Sequence, residues 1–171
     1  MNTMVKLVIR MATMNDIPSI VNVSLASTAK EEKQRFTAPE LGTYSSSEEL
    51  RKAWAEENKL KDGSEVIVAE KNRRIVGFVV FKKEYDYCYI DNIDITRDEQ
   101  RKGIGRALVT HVENIVKVNG YSLMKTDTTE SAEGIPWRSY GFWTKIGYKD
   151  TGERLTTKWN FKTIPFVKNL K

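Results

Sequence analysis

The chain has 171 residues, with 28 Lys and Arg against 23 Asp and Glu, and a formal charge of +5. A hydrophobic fraction of 40% and a charged fraction of 30% are those of a folded protein, which excludes a disordered tail or a membrane bundle. The length favours one domain over 1–171, large enough to bury roughly 70% of the surface its unfolded chain would expose. With Cys88 as the single cysteine, no intrachain disulfide forms.

No apolar run approaches the roughly 18 residues of a membrane span. The stretch Met1–Lys6 lacks an apolar core followed by a small-residue cleavage site. A cytoplasmic protein with no membrane partner is expected. The positive charge favours anionic ligands such as phosphates without singling out nucleic acid, and no nucleic-acid partner is expected.

Lys6–Arg10 reads as a first strand. Asp16 and Pro18 then open an apolar-periodic helix through Ile17, Ile20, Val21 and Leu25. Glu31–Tyr44, broken by Pro39 and Gly42, reads as a loop. Ser45 to Glu49 supplies caps for a second helix to about Leu60. Strands are predicted over Glu65–Glu70 and Ile75–Phe81, joined as a hairpin by the turn at Asn72–Arg74. A further strand covers Tyr87–Thr96, and alternation puts Tyr89, Asp91, Ile93 and Ile95 on one face. Gly103–Asn119 has helical spacing (Ile104, Leu108, Val112, Ile115, Val116) and Gly120 as a stop. Tyr121–Thr126 is another strand and Pro136–Lys145 another helix. Tyr148 onward, including Thr156–Ile164, forms a final pair of strands. There is no internal repeat or linker.

The most informative segment runs from Ile93 to Arg106, strand into turn into helix N-terminus. Unpaired amides and the positive end of the helix dipole converge there, which makes an anion site. Gly103 and Gly105 let a phosphate approach the main chain, and Arg101, Lys102 and Arg106 add charge. A pyrophosphate is the natural ligand. A dinucleotide fingerprint would need a third glycine where Leu108 stands.

Gln100-Arg101-Lys102-Gly103-Ile104-Gly105 resembles the coenzyme A loop of the GNAT acyltransferase superfamily: Gln or Arg, two variable residues, Gly, one variable residue, then Gly or Ala. Phe142-Trp143-Thr144-Lys145-Ile146-Gly147-Tyr148 resembles the ending of its second block. The order of elements matches from about residue 5 to 163. The resemblance implies a mixed, mostly antiparallel α/β sheet flanked by helices, splayed between its fourth and fifth strands. Acetyl-coenzyme A would enter that gap as cosubstrate. The backbone of Ile93, Asp94 and Ile95 would hold pantetheine, and Gln100, Arg101, Lys102, Gly103, Ile104, Gly105 and Arg106 would hold the pyrophosphate.

The implied activity is N-acetylation of a primary amine by direct attack. An alkyl amine with pKa about 10.4 is nucleophilic in only about one molecule in 2,500 at pH 7, so a base is expected. Asp91 is the candidate, with Asp94 as the alternative should a strand bulge exchange their directions. Many family members carry a Tyr acid where this chain has Trp143, and Tyr140 is the candidate substitute; a thiolate protonated by solvent needs neither. Phe36, Tyr44, Trp159, Phe161 and Phe166 are candidates to line the acceptor site. Cys88 and His111 read as structural, and no metal is expected. The departure at Trp143 keeps open a second reading, a non-catalytic coenzyme A sensor of the same fold. The acceptor, whether a small molecule or a protein amine, is not encoded legibly. A homodimer is the common assembly of symmetric enzymes.

Overall fold

The computed structural model describes residues 6–27, 46–55, 59–158 and 160–171. Its strands are β1 (Leu7–Met11), β2 (Glu65–Lys71), β3 (Arg74–Lys83), β4 (Cys88–Ile95), β5 (Leu123–Glu130), β6 (Lys149–Asp150), β7 (Leu155–Thr156) and β8 (Lys162–Asn169). Its helices are α1 (Ile17–Ala26), α2 (Ser47–Ala53), α3 (Ile104–Val118) and α4 (Ser139–Lys145). The sheet order is β1-β2-β3-β4-β5-β8-β6, with β7 also on β8. Every pairing is antiparallel except β4 with β5.

Each face of the sheet carries its own core. Ile67, Ala69, Val79, Phe81, Cys88 and Ile90 face Leu108, Val112 and Val116 of α3 and Trp143 of α4. Val66, Val68, Phe78 and Val80 face Ile17, Ile20 and Val21 of α1 and Leu50 of α2. Period-two alternation along β2 and period-3.6 spacing along α3 produce this division. Each fully buried Leu, Val or Phe contributes about 1.5–3 kcal/mol.

α3 ends as its sequence dictates. Gly120 takes φ +88°, its amide donates to Lys117 O, and the Tyr121 amide donates back to Val116 O at 3.0 Å. At the start of α1, Arg10 grips Asp16 through two bonds of 2.8 and 2.9 Å, while the Thr13 amide donates to Asp16 Oδ2.

Four sequence expectations shift. The second helix stops at Ala53 rather than near Leu60, because Trp54 is already extended and bridges Leu60. α4 starts at Ser139, not Pro136, which pairs with Glu130 in an isolated bridge. β5 runs four residues past Thr126 because β8, at Lys162–Asn169, pairs with it to Glu130. Ile93 and Ile95 also lie on the opposite face to the one strict alternation gives them relative to Ile90. Between Val80 and Phe81 of β3 the register slips, so Asn92 pairs with Val80 and Ile90 with Phe81 while Asp91 is the extra residue of a bulge. Cys88 and Ile90, then Ile93 and Ile95, therefore all face α3. The loop predicted over Glu31–Tyr44 lies outside the described residues.

Candidate functional site

The gap comes from a pairing that stops early. β4 and β5 match only at Cys88–Met124, Tyr89–Lys125 and Ile90–Thr126. Beyond these, β4 stays with β3 to Ile95 and β5 stays with β8 to Glu130. Each strand therefore turns an edge toward the other. The Thr96 amide donates to Val76 O of β3 at 2.9 Å. Alternation then turns the Asp94 main chain to β3 and the main chains of Ile93 and Ile95 to the gap. Of the three residues expected to offer backbone there, Asp94 is thus occupied elsewhere.

The outer end of the gap meets the N-terminus of α3. Arg101 (φ +62°) and Gly103 (φ +84°) bend the chain through the left-handed region. The first helical bond of α3 is from Ala107 N to Gly103 O, 3.0 Å, so the amides of Ile104, Gly105 and Arg106 precede any intrahelical acceptor. Gly103 is open: a Cβ there meets nothing within 4 Å. Gly105 is crowded: a Cβ would lie 3.1 Å from Phe142. Gly105 thus lets α4 close on α3, a reason that loop reading alone does not supply. The Ile104 side chain is buried in the core, so only its amide is available.

Gln100 works from behind this loop. Its Nε2 donates to Ile95 O and to Ser27 O, both at 2.9 Å. Arg138, just before α4, donates to the same Ser27 carbonyl at 2.5 Å. The end of α1, the end of β4 and the start of α4 are thereby tied together. Lys102 lies 3.5 Å from Glu99, which Lys71 holds at 2.8 Å and whose carboxyl sits below its ordinary pKa range because of that bond to Lys71. Arg101 and Arg106 are exposed.

Carboxylates gather at the closed end. Asp91, at the bulge, has no hydrogen bond or ion pair among the described residues, and burial, with Asp62 nearby, pushes its carboxyl above the usual range. Asp127 follows the last β4–β5 pair on the other strand. Burial raises it, the hydroxyls of Tyr89 and Thr163 oppose that, and Asp91 adds to it. Asp94 points to the α1 face, where burial pushes it up to about 7 against the Ser27 hydroxyl and the Arg138 charge. Asp127 and Arg138 were not singled out from sequence. Asp127 sits one residue past the predicted strand end, so its place beside Asp91 depends on pairing that local pattern does not encode.

Tyr140 leaves α4 toward β6 and β8. Its hydroxyl donates to Asp150 Oδ2 at 3.0 Å, on β6, two strands beyond β5 in the sheet order. Its ring packs edge-on against Phe166. Trp143 is 2% exposed, wedged between Phe142 and Tyr148. Phe166 is a core residue, while Phe36, Tyr44 and Trp159 lie outside the described residues. Among the described residues, no three His, Cys, Asp or Glu are placed to hold a metal. No described helix is long and apolar enough to cross a membrane.

Comparison with known proteins agrees with this geometry. Residues 27–148 match the family described as acetyltransferase (GNAT) family. No curated protein matches the sequence. An acetyltransferase of the GNAT family from Desulfovibrio desulfuricans superposes with a TM-score of 0.74 at 16% identity, covering 97% of this chain and 100% of that one. The ribosomal-protein-S18-alanine N-acetyltransferase of Escherichia coli gives 0.68 at 16%, over 97% and 95%. The PaiA N-acetyltransferase of Thermoplasma acidophilum, solved with coenzyme A, gives 0.64 at 14%, over 94% and 98%. At these identities the likeness is one of fold.

Proposed function

The chain belongs to the GNAT acetyltransferase family, and from that premise we propose that it moves an acetyl group from acetyl-coenzyme A to a primary amine by direct attack. The observation that carries the reading is the β4–β5 gap, which opens directly onto the glycine-softened N-terminus of α3.

In this reading the amides of Gly103, Ile104, Gly105 and Arg106 take the pyrophosphate, and the exposed cations Arg101 and Lys102 screen its charge. Gln100 positions the loop through its bonds to Ile95 and Ser27 rather than touching the ligand by its side chain. The pantetheine arm runs along the gap beside Ile95 and Ile93 toward Asp91, about 13 Å at strand rise, which places the thioester near the closed end. The Ile93 amide is aimed where oxyanion charge develops.

Asp91 accepts the proton of the incoming ammonium. The freed nitrogen lone pair attacks the carbonyl carbon, a C–N bond forms, the adduct's now positive nitrogen loses its second proton to solvent, and collapse of the tetrahedral adduct breaks the C–S bond and releases the thiolate. Asp91 suits this because it has no cation partner among the described residues and its raised pKa brings it closer to that of the amine. The thiolate, with free pKa about 8.5, leaves unassisted and is protonated by solvent. Tyr140 would serve as acid only by releasing Asp150.

The test is thiol release from acetyl-coenzyme A against a panel of small amines, peptide N-termini and lysine side chains, with each product identified by mass. One observation favours a second reading, a non-catalytic coenzyme A-binding module: Trp143, at the position many family members give to a Tyr acid, is sealed in the core. Stabilisation by coenzyme A with no acceptor turned over would favour that module.

A further inference from the structure

Lys125 sits on β5 in the short stretch where that strand still pairs with β4. Its direct partner is Tyr89, so its diagonal neighbours, two residues either way along β4, are Tyr87 and Asp91. Alternation turns Lys125 and Asp127 to one face of β5, away from the buried Met124 and Thr126. Tyr89, whose hydroxyl bonds Asp127, and Asp91, whose charge Asp127 feels, lie on that face too. A primary amine of the chain therefore shares a sheet face with the carboxylate at the closed end of the gap.

The amine is held there loosely. Lys125 is half-buried, and its Nζ stands 3.9 Å from the centre of the Tyr87 ring. It forms no ion pair or hydrogen bond among the described residues. Two other lysines at this end are engaged, Lys83 with Glu65 at 2.9 Å and Lys82 with Glu84 at 3.5 Å. Contact with an aromatic face at a half-exposed site favours that pose by only about two- to fivefold. Tyr87 and Asp91 lie on equivalent diagonals, each about 8 Å from Lys125 by strand spacing and rise. A lysine stem extends about 6 Å, so rotation about its own bonds carries Nζ from the Tyr87 ring to the Asp91 carboxylate with the backbone fixed.

We propose that Lys125 is the chain's own acetyl acceptor: with no external amine present, the protein acetylates the Lys125 side chain in cis from acetyl-coenzyme A. This rests on the reading that Asp91 is the base at the thioester end of the gap. Asp91 takes one proton from the Lys125 ammonium, and the freed Nζ lone pair attacks the carbonyl carbon. A C–N bond forms and the now positive nitrogen gives its second proton to solvent. The C–S bond then breaks, and the thiolate leaves to be protonated by solvent. The product is a neutral amide, formed once per chain. It removes a positive charge and the cation–π contact with Tyr87 from the face where an external amine arrives.

The full chain is incubated with acetyl-coenzyme A alone, and intact mass with peptide sequencing counts and locates the acetyl groups. The wild type, Lys125→Arg, Asp91→Asn and Tyr87→Leu are compared, with the panel of added amines run alongside. The wild type should gain one acetyl group at Lys125, at a first-order rate independent of protein concentration. Lys125→Arg should gain none at that position. Asp91→Asn should react about 100-fold more slowly. Tyr87→Leu, which frees the ammonium from its ring, should react about two- to fivefold faster. Lys125 left unmodified while an added amine is acetylated overturns the proposal and leaves acetyl transfer standing. Modification of Lys125 at an equal rate in Asp91→Asn is spontaneous chemistry and overturns it as well. Absence of acetylation on Lys125 and on every added amine overturns the acetyltransferase reading, and this proposal with it.

Discussion

Gly103 and Gly105 stand two residues apart and are glycines for different reasons. Gly103 holds φ +84° with open space around it, so alanine there suffers backbone strain of about 1 kcal/mol and nothing else. Gly105 is not in the left-handed region, but its Cβ would press Phe142 at 3.1 Å. Both alanine variants should weaken coenzyme A binding, yet only Gly105→Ala should be relieved by Phe142→Leu. A double-mutant cycle read by calorimetry checks this: a coupling of at least about 0.5 kcal/mol is expected for the Gly105–Phe142 pair and none for Gly103–Phe142. The same scale decides the base. Asp91→Asn should lower kcat about 100-fold while leaving KM for acetyl-coenzyme A within about twofold, because the side chain meets the amine and not the nucleotide. The wild-type acid limb should disappear from the residual activity of that variant. A KM increase matching the loss in kcat/KM, with kcat intact, would remove Asp91 from the chemistry.

At the scale of elements, the three segments that frame the gap meet at one carbonyl. Ser27 O takes Gln100 from the phosphate loop and Arg138 from the approach to α4. Gln100→Ala removes two bonds at once and leaves the Ile95 carbonyl without its side-chain donor. A loss of about 1–3 kcal/mol is expected in urea unfolding, along with a several-fold rise in KM for acetyl-coenzyme A. Gln100→Glu, which keeps the shape but turns a donor into an acceptor facing two carbonyls, should do no better. Rescue by glutamate would show that Gln100 touches the cofactor rather than positioning the loop. These junctions also mark what local pattern conveys. α3 could be placed from its sequence nearly to the residue, since both its apolar spacing and its Gly120 stop are local. The bulge at Asp91 could not, because the extra residue is defined by Val80 and Phe81 on another strand, which pair with its neighbours Asn92 and Ile90. The Tyr140 hydroxyl was equally out of reach. Helical spacing gave its face, but Asp150 on β6 decided where its proton points.

Over the whole molecule, the carboxylates divide into two sets that pull stability in opposite directions with pH. Asp16 is held below its ordinary range, chiefly by its bond to Arg10. Its contribution is present above pH about 3.8 and is lost as acid protonates it. Asp94 is the reverse case, at about 7 when folded against 3.8 in an unfolded chain. Between those values the native state binds the proton that the unfolded state releases, so stability must fall as pH rises from about 4 to 7. At about 1.4 kcal/mol per unit, a loss of about 2–4 kcal/mol is expected across that window. Asp91 and Asp127, also raised, add to the same slope. The gap carboxylates therefore cost stability under the conditions in which an ionised base can work, a trade found where activity needs a destabilised site. Guanidinium chloride unfolding of the wild type and Asp94→Asn between pH 4.5 and 8 measures this. Asp94→Asn should be the more stable protein at pH 8, and its stability should vary less with pH. The two curves should converge toward pH 4.5, where Asp94 is protonated in the wild type. Parallel curves across the whole range would mean that Asp94 titrates as an ordinary surface carboxylate, and the acidic end of the gap would then have to draw its pH dependence from Asp91 and Asp127 alone.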